Sequence, residues 1–186
     1  MPAATEDLKV TPYMDLELLL TNSQETRIDG KIMDKLAESW GRWAAHLKAK
    51  RIQAGSESYL AVWLDESVEE QVDEIWDDAP SEAFLYNALA QTMCMSAIYD
   101  LLPEVADSGC APAPRPTLDL KTALEELDLR DPDEENPGLG LARRYAVTTY
   151  YPFRGGCEVC DLRAECPKLK GSGEDYSVVL PGYEPE

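Results

Sequence analysis

The first hundred residues carry apolar side chains at a spacing that is typical of helices. One long stripe between Asp29 and Ile52 recurs every three or four positions and consists of Ile32, Leu36, Trp40, Trp43 and Leu47. This period predicts a single amphipathic helix over 29–52, with Gly55 as its stop signal. A second stretch, 82–102, carries apolar residues on both faces and lies between Pro80 and Pro103. It predicts a buried central helix.

Shorter patterns describe other parts of the chain. A helix that opens with a capping box at Ser67–Glu70 and a short amphipathic helix over 118–129 are expected from their apolar spacing. The apolar run Tyr59–Leu64 fits a helix or a strand. The run Tyr145–Tyr151 is β-branched and aromatic and predicts a strand, with the continuation of a helix from Leu139 as the alternative. Ser177–Leu180 predicts a second strand that could pair with it.

These patterns predict a mainly α-helical protein in three parts. We expect residues 1–103 to form a helical, bundle-like domain after a loose start. Residues 104–142 are expected to form a linker with a short helix and an acidic loop, because alternating prolines favour extended, stiff backbone. Residues 143–186 are expected to form a small cysteine-rich lobe that carries the two short strands and ends in a tail.

Composition and charge limit the possible functions. The chain of 186 residues has 36 acidic and 17 basic side chains, which gives a formal net charge of -19. Nucleic-acid binding depends on basic contacts to phosphates, so a nucleic-acid partner is disfavoured. No run approaches the ~18 apolar residues of a membrane span, and the first residues lack a signal-sequence pattern. We therefore expect an acidic, cytoplasmic protein with protein partners.

Three of the five cysteines are clustered, at Cys157, Cys160 and Cys166. Their spacing, Cys-x2-Cys-x5-Cys, lets three thiolates reach one metal centre, and Gly155 and Gly156 leave room for a tight loop. An odd number of clustered cysteines also favours a reducing compartment over disulfides. The alternative interpretation is three unrelated thiols in a loop. We favour a metal or iron–sulfur site.

The number and type of ligands favour an iron–sulfur cluster over zinc. Zinc sites usually use two cysteine pairs, or one pair with histidines, but the only histidine is His46, far upstream. A four-iron cluster uses four thiolates, commonly three close together and one remote. Cys110, in the irregular Pro-rich segment, is the expected fourth ligand. Cys94, in an apolar helix, is the reserve. Zinc is the alternative metal for the same cysteines.

The cysteine loop lies in a locally basic part of an acidic chain. Between positions 143 and 170 the basic residues are Arg143, Arg144, Arg154, Arg163, Lys168 and Lys170. The acidic residues around the cysteines are Glu158, Asp161 and Glu165. Cations near thiolates lower the thiol pKa and favour metal binding. The same charges also fit a small docking patch for an acidic partner.

The loop 157–167, three cysteines and a following proline, resembles known [4Fe-4S] motifs. It is similar to the cluster loops of the iron–sulfur DNA glycosylases, of the iron-staple nucleases and of nitrogenase-associated molybdenum-carrying proteins. The iron-staple nucleases add one remote upstream cysteine, a role that Cys110 matches. The early, nearby cysteine of the glycosylases has no counterpart here, and no nuclease core of carboxylates and lysine is recognisable. The resemblance therefore implies a cluster.

Three functions are compatible with this sequence. The first is a non-enzymatic iron–sulfur protein that acts as an accessory, assembly or electron-transfer partner of a larger redox enzyme. The second is an enzyme subunit or nucleic-acid enzyme in which the cluster is a structural staple. The third is a zinc-stabilised interaction module. The first is favoured because we find no phosphate-binding loop, dinucleotide fingerprint or nucleophile elbow.

Overall fold

The computed structural model of the protein describes residues 4–131 and 138–166. Its elements in chain order are β1 (Ala4–Asp7), α1 (Leu16–Ser23), α2 (Gly30–Trp43), β2 (Leu47–Ala54), β3 (Glu57–Leu64), α3 (Glu66–Asp78), α4 (Pro80–Leu101), α5 (Pro103–Ser108), α6 (Leu118–Glu125) and β4 (Ala146–Tyr150). Short 3-10 turns occupy Ala44–His46 and Arg163–Glu165. None of the helices in the described ranges is long and apolar enough to cross a membrane.

The mainly α-helical prediction is wrong, because the described residues form a mixed α/β fold. The four strands make one antiparallel sheet in the order β1-β2-β3-β4. β2 and β3 are paired along their whole length, from Leu47 opposite Leu64 to Ala54 opposite Glu57. β4 joins the far edge of β3, with Tyr150 opposite Tyr59. The six helices are therefore arranged around a sheet and do not form a helical bundle.

The single helix predicted over 29–52 ends at Trp43, and the chain then becomes strand β2. Leu47 continues the helical stripe but also fits the alternation of a strand. Beyond it, Lys50 and Arg51 occupy the next two helical positions, so the helical stripe stops there. In β2 the buried residues Ala49 and Ile52 face opposite sides of the sheet.

Gly55 is a hairpin residue and not a helix stop. It forms, with Ser56, the two-residue turn between β2 and β3, and its φ is 61°. Glycine reaches this left-handed region without the steric cost that other residues bear, and it is the usual first residue of such a turn. The turn also lies against α6, because a Cβ at position 55 would lie 2.6 Å from Asp119 Oδ2.

Strand β3 is apolar along its length because both faces of the sheet are covered. Leu60, Val62 and Leu64 lie in a core that contains buried residues of α1 to α5. Tyr59, Ala61 and Trp63 face the opposite side, in a second core with α6 and Tyr150. This two-sided burial explains why the Tyr59–Leu64 run shows no alternation and fitted a helix or a strand.

The long apolar helix is confirmed as α4, and the strand predicted at Tyr145–Tyr151 is confirmed as β4. The short helix predicted over 118–129 is present as α6, where the Thr117 side chain accepts a hydrogen bond from the Leu120 N–H at 3.3 Å. The start of the chain, expected to be loose, contains β1, which pairs with β2. The predicted strand Ser177–Leu180 lies outside the described residues, as does nearly all of the predicted acidic loop.

The Pro-rich segment is not a free linker, because it packs along β4. It follows α5, and its residues Pro112 and Pro114 are buried. The Thr149 hydroxyl donates a hydrogen bond to the Pro112 carbonyl at 2.9 Å, and the Arg115 N–H donates to the Tyr150 hydroxyl at 3.3 Å. This path brings Cys110 to the end of the sheet where the chain leaves β4.

Candidate metal centre

The cysteine loop follows β4 and is shaped by its own backbone. Cys160 N–H donates to the Cys157 carbonyl at 3.4 Å, and Arg163 N–H donates to the Cys160 carbonyl at 3.2 Å. The Glu158 carboxylate accepts a hydrogen bond from the Gly156 N–H at 3.0 Å. Backbone N–H groups of Glu158 and Gly156 hold the pKa of the Glu158 carboxyl below its usual value. The loop is thus a series of tight turns closed by a carboxylate.

Four of the five cysteines line one pocket. This cysteine pocket is formed by Ser108, Cys110, Pro112, Gly156, Cys157, Cys160, Arg163 and Cys166 and has a volume of about 40 Å³. That volume exceeds the roughly 10–15 Å³ that a single water requires. The structure therefore brings the C-terminal trio and the remote Cys110 together, in the combination that the sequence predicted.

A backbone hydrogen bond joins the two segments that supply these cysteines. The Asp161 N–H, between Cys160 and Cys166, donates to the Ala113 carbonyl at 2.9 Å. Ala113 lies only three positions after Cys110. The Ser108 hydroxyl also donates to the Cys110 carbonyl at 2.9 Å, which fixes the turn after α5. Protein contacts thus join the two segments that supply the cysteines.

The donor set consists of four thiols that line one pocket. Within the described residues, no three His, Cys, Asp or Glu side chains are grouped around a position where one metal ion could bind. A tetrahedral zinc ion holds its thiolates about 2.3 Å from a single point. In a four-iron cluster each thiolate binds a different iron atom, so the sulfur atoms lie farther apart around a larger volume. The four cysteines line a common pocket, and their ligation of a cluster or of zinc stays a prediction.

Cys94, the reserve ligand, lies elsewhere. Its side chain is buried within α4, and its Sγ donates to the Tyr145 carbonyl at 3.5 Å. Burial raises the pKa of the Cys94 thiol to about 12, which disfavours the thiolate that a metal requires. It borders a separate cavity of about 240 Å³, together with Gln91 and Arg144, and does not line the cysteine pocket. Its surroundings are those of an inert core cysteine.

The basic residues of the region do not all surround the cysteines. Arg144 binds Asp73 on α3 through two hydrogen bonds of 2.7 and 3.0 Å, which lower the pKa of that carboxyl. Arg143 pairs with Glu66 of α3 at 3.4 Å, and Arg154 pairs with Glu57. Lys168 and Lys170 lie outside the described residues.

The acidic face of α3 therefore anchors the segment before β4. Three carboxylates of α3 contact this segment. Besides the two arginine pairs, the Arg144 N–H donates to Glu69 Oε1 at 2.8 Å. Of the arginines named from the sequence, Arg163 alone borders the cysteine pocket within the described ranges.

Sequence reasoning missed an open groove beside the cysteines. The groove has a volume of about 460 Å³ and is lined by Arg115, Glu158, Val159, Cys160, Asp161, Arg163 and Ala164. Cys160 borders both the groove and the cysteine pocket. The one available signal was Arg115 itself, a single cation in a Pro-rich segment, and nothing local in the sequence links it to the loop.

A second polar cluster lies at the start of α3. His46 Nδ1 is 3.0 Å from Asp65 Oδ2 and 3.1 Å from Ser67 Oγ. Burial raises the pKa of Asp65, but the hydrogen bonds from Ser67 and His46 outweigh it and leave that pKa below the usual value. In a catalytic triad the hydroxyl and the carboxylate contact opposite ring nitrogens, whereas here both contact Nδ1. The cluster fits a structural role at the helix start, where Asp65 is the N-cap residue.

Comparisons of this chain with protein-family models, with curated proteins and with solved structures found no match. The resemblance of the loop to known cluster motifs rests on its cysteine spacing.

Proposed function

We propose that Cys110, Cys157, Cys160 and Cys166 bind a [4Fe-4S] cluster, and that the protein is an accessory, assembly or electron-transfer partner of a larger redox enzyme. The observation that carries the proposal is the convergence of these cysteines on one pocket. The trio alone is a local feature of the sequence. Cys110 lies 47 positions before Cys157 in the chain, and both residues line the same pocket.

Accessibility of the site supports a role in electron exchange. Cys157 is exposed and the other three cysteines of the pocket are half-buried. A cluster held there lies close to the surface of the protein, where a partner can approach. The groove beside Cys160 adds an open face at the same place. When bound, such a cluster supplies one-electron chemistry, and the chain supplies its thiolate ligands and its surroundings.

Charge supports a protein partner over a nucleic acid. The chain has a formal net charge of -19, and phosphate contacts require unpaired basic side chains. Arg143, Arg144 and Arg154 each pair with a carboxylate of the chain itself. These arginines are therefore already engaged within the fold.

A second function, that of a structural staple, is favoured by the position of the ligands in the chain. α6 and β4 lie between Cys110 and the trio, so ligation would close a loop that contains one helix and the edge strand of the sheet. A cluster in this position would hold the end of the sheet together whether or not it exchanges electrons. This alternative includes an enzyme subunit that needs the cluster only for its fold.

A spectroelectrochemical titration of anaerobically prepared protein distinguishes the two roles. An electron carrier is expected to show a reversible one-electron step and to pass the electron to a chemical acceptor without losing iron. A staple is expected to resist reduction or to lose iron and unfold when reduced. A cluster that is reduced and reoxidised repeatedly with unchanged iron content supports the carrier. Loss of iron in the first cycle contradicts it.

A further inference from the structure

The cysteine pocket has an uneven distribution of charge. Among the described residues that line it, Arg163 is the one with a basic or acidic side chain other than cysteine. It lies in the 3-10 turn Arg163–Glu165, between the second and third cysteines of the trio. Its backbone N–H is bonded to the Cys160 carbonyl at 3.2 Å, so its position is tied to that of a proposed ligand.

Two nearby carboxylates, those of Glu158 and Asp161, line the groove beside Cys160 and not the cysteine pocket. The Glu158 carboxylate accepts a hydrogen bond from the Gly156 N–H at 3.0 Å. The charge of Arg163 makes a smaller contribution to the lowered pKa of Glu158. Arg163 borders both spaces. It therefore lies between the cysteines and the groove, whose lining also contains Arg115.

A cluster with four thiolates is an anion, and reduction adds one further negative charge. The reduction potential of such a cluster depends on its net charge, on its exposure and on the charges around it. A cation at the edge of the pocket stabilises the reduced state more than the oxidised state, since the added electron increases the attraction. The reaction is the gain of one electron from an external reductant, with no bond made or broken in the protein.

We propose that Arg163 is the charge that raises the reduction potential of a cluster held by Cys110, Cys157, Cys160 and Cys166. This inference rests on the proposed function, since it requires the cluster. It gives Arg163 an electrostatic role that is distinct from ligation.

The size of the effect follows from Coulomb's law. A unit charge about 10 Å from the added electron, at an effective dielectric constant of about 20 to 40, changes the equilibrium about four- to sixteenfold. The larger dielectric applies because Arg163 is exposed to solvent. For a one-electron step this range corresponds to about 35 to 70 mV, and the lower value is expected at the larger dielectric constant.

The test compares three variants by redox titration of anaerobically reconstituted protein, with iron content measured on each sample. Arg163→Gln removes the charge and is expected to lower the potential by that amount. Arg163→Lys keeps the charge and is expected to leave the potential close to that of the wild type. Arg42→Gln is the matched control, because it removes the same charge from α2, away from the cysteines, and is expected to change nothing.

Each outcome decides one question. A wild-type protein that binds no cluster overturns the proposed function. A wild-type protein and an Arg163→Gln variant with full iron and equal potentials overturn only the role of Arg163. If Arg163→Gln cannot hold iron, retention of the cluster with normal potential by Arg163→Lys supports the requirement for charge. Loss of the cluster from both variants contradicts it, because a specific guanidinium contact would then be needed.

Discussion

Replacing Cys110 with serine is expected to remove the cluster and destabilise the fold in one step. Cys110 is the one member of the cysteine pocket that comes from outside the loop after β4. A cluster bound by all four thiolates would cross-link this residue to Cys157, across α6 and β4. Serine is close to cysteine in size, so the change tests ligation more than packing.

The magnitude follows from the length of chain between the ligands. A cross-link between positions 110 and 157 restricts the unfolded chain in the same way as a disulfide over that length, which gives about 4 kcal/mol. Cys94→Ser is the matched control. It places a hydroxyl in the apolar core against which α4 packs. This change is expected to lower the free energy of unfolding by about 1–3 kcal/mol without any loss of iron.

The assay combines iron content with urea unfolding of both loaded and metal-free protein under anaerobic conditions. Cys110→Ser is expected to reduce the free energy of unfolding of the loaded protein and to leave that of the metal-free protein almost unchanged. Cys94→Ser is expected to lower both equally. The reasoning is refuted if Cys110→Ser keeps full iron and stability, or if Cys94→Ser loses the cluster.

Two further predictions concern the fold around the site. Gly55→Ala is expected to lower the free energy of unfolding by about 1–2 kcal/mol, because position 55 has positive φ and the new Cβ would meet Asp119. Gly41→Ala is the control, because position 41 lies in the middle of α2 with open space around it. This variant should raise the free energy of unfolding in the same urea titration. Folding lowers the pKa of the Asp65 carboxyl. The ionised carboxylate therefore stabilises the fold at any pH above the unfolded carboxyl pKa of about 3.9. This contribution is lost as the pH falls through the folded pKa. In Asp65→Asn, the free energy of unfolding should therefore decrease less between about pH 5 and pH 2 than in the wild type. The same decrease in both proteins would count against this role of Asp65.

Helical periodicity predicted much of the helical part of this fold but not its sheet. α4 could be predicted because its apolar pattern is long and is bounded by Pro80 and Pro103. β1 could not, because its four residues are exposed and carry no apolar pattern. Its pairing with β2 depends on backbone hydrogen bonds, which leave little trace in composition. β2 was hidden because Leu47 fits both the helix before it and the strand that it begins.

The candidate site shows the same division between local and long-range information. The spacing of Cys157, Cys160 and Cys166 is local, so the sequence was sufficient to single it out. The approach of Cys110 depends on the packing of the Pro-rich segment along β4, through contacts such as that of Thr149 with Pro112. Likewise, no local pattern links Arg144 to Asp73, 71 residues earlier. Such contacts arise only when the sheet has formed.

The central claim is that the cysteine pocket holds a [4Fe-4S] cluster, and metal analysis of protein isolated without exposure to air tests it most directly. Iron, zinc and acid-labile sulfide should be measured on the same sample, beside a variant in which Cys157, Cys160 and Cys166 are serine. We predict about four iron atoms and about four sulfides per chain in the wild type, and neither in the variant. About one zinc per chain, with no iron and no sulfide, would contradict the claim.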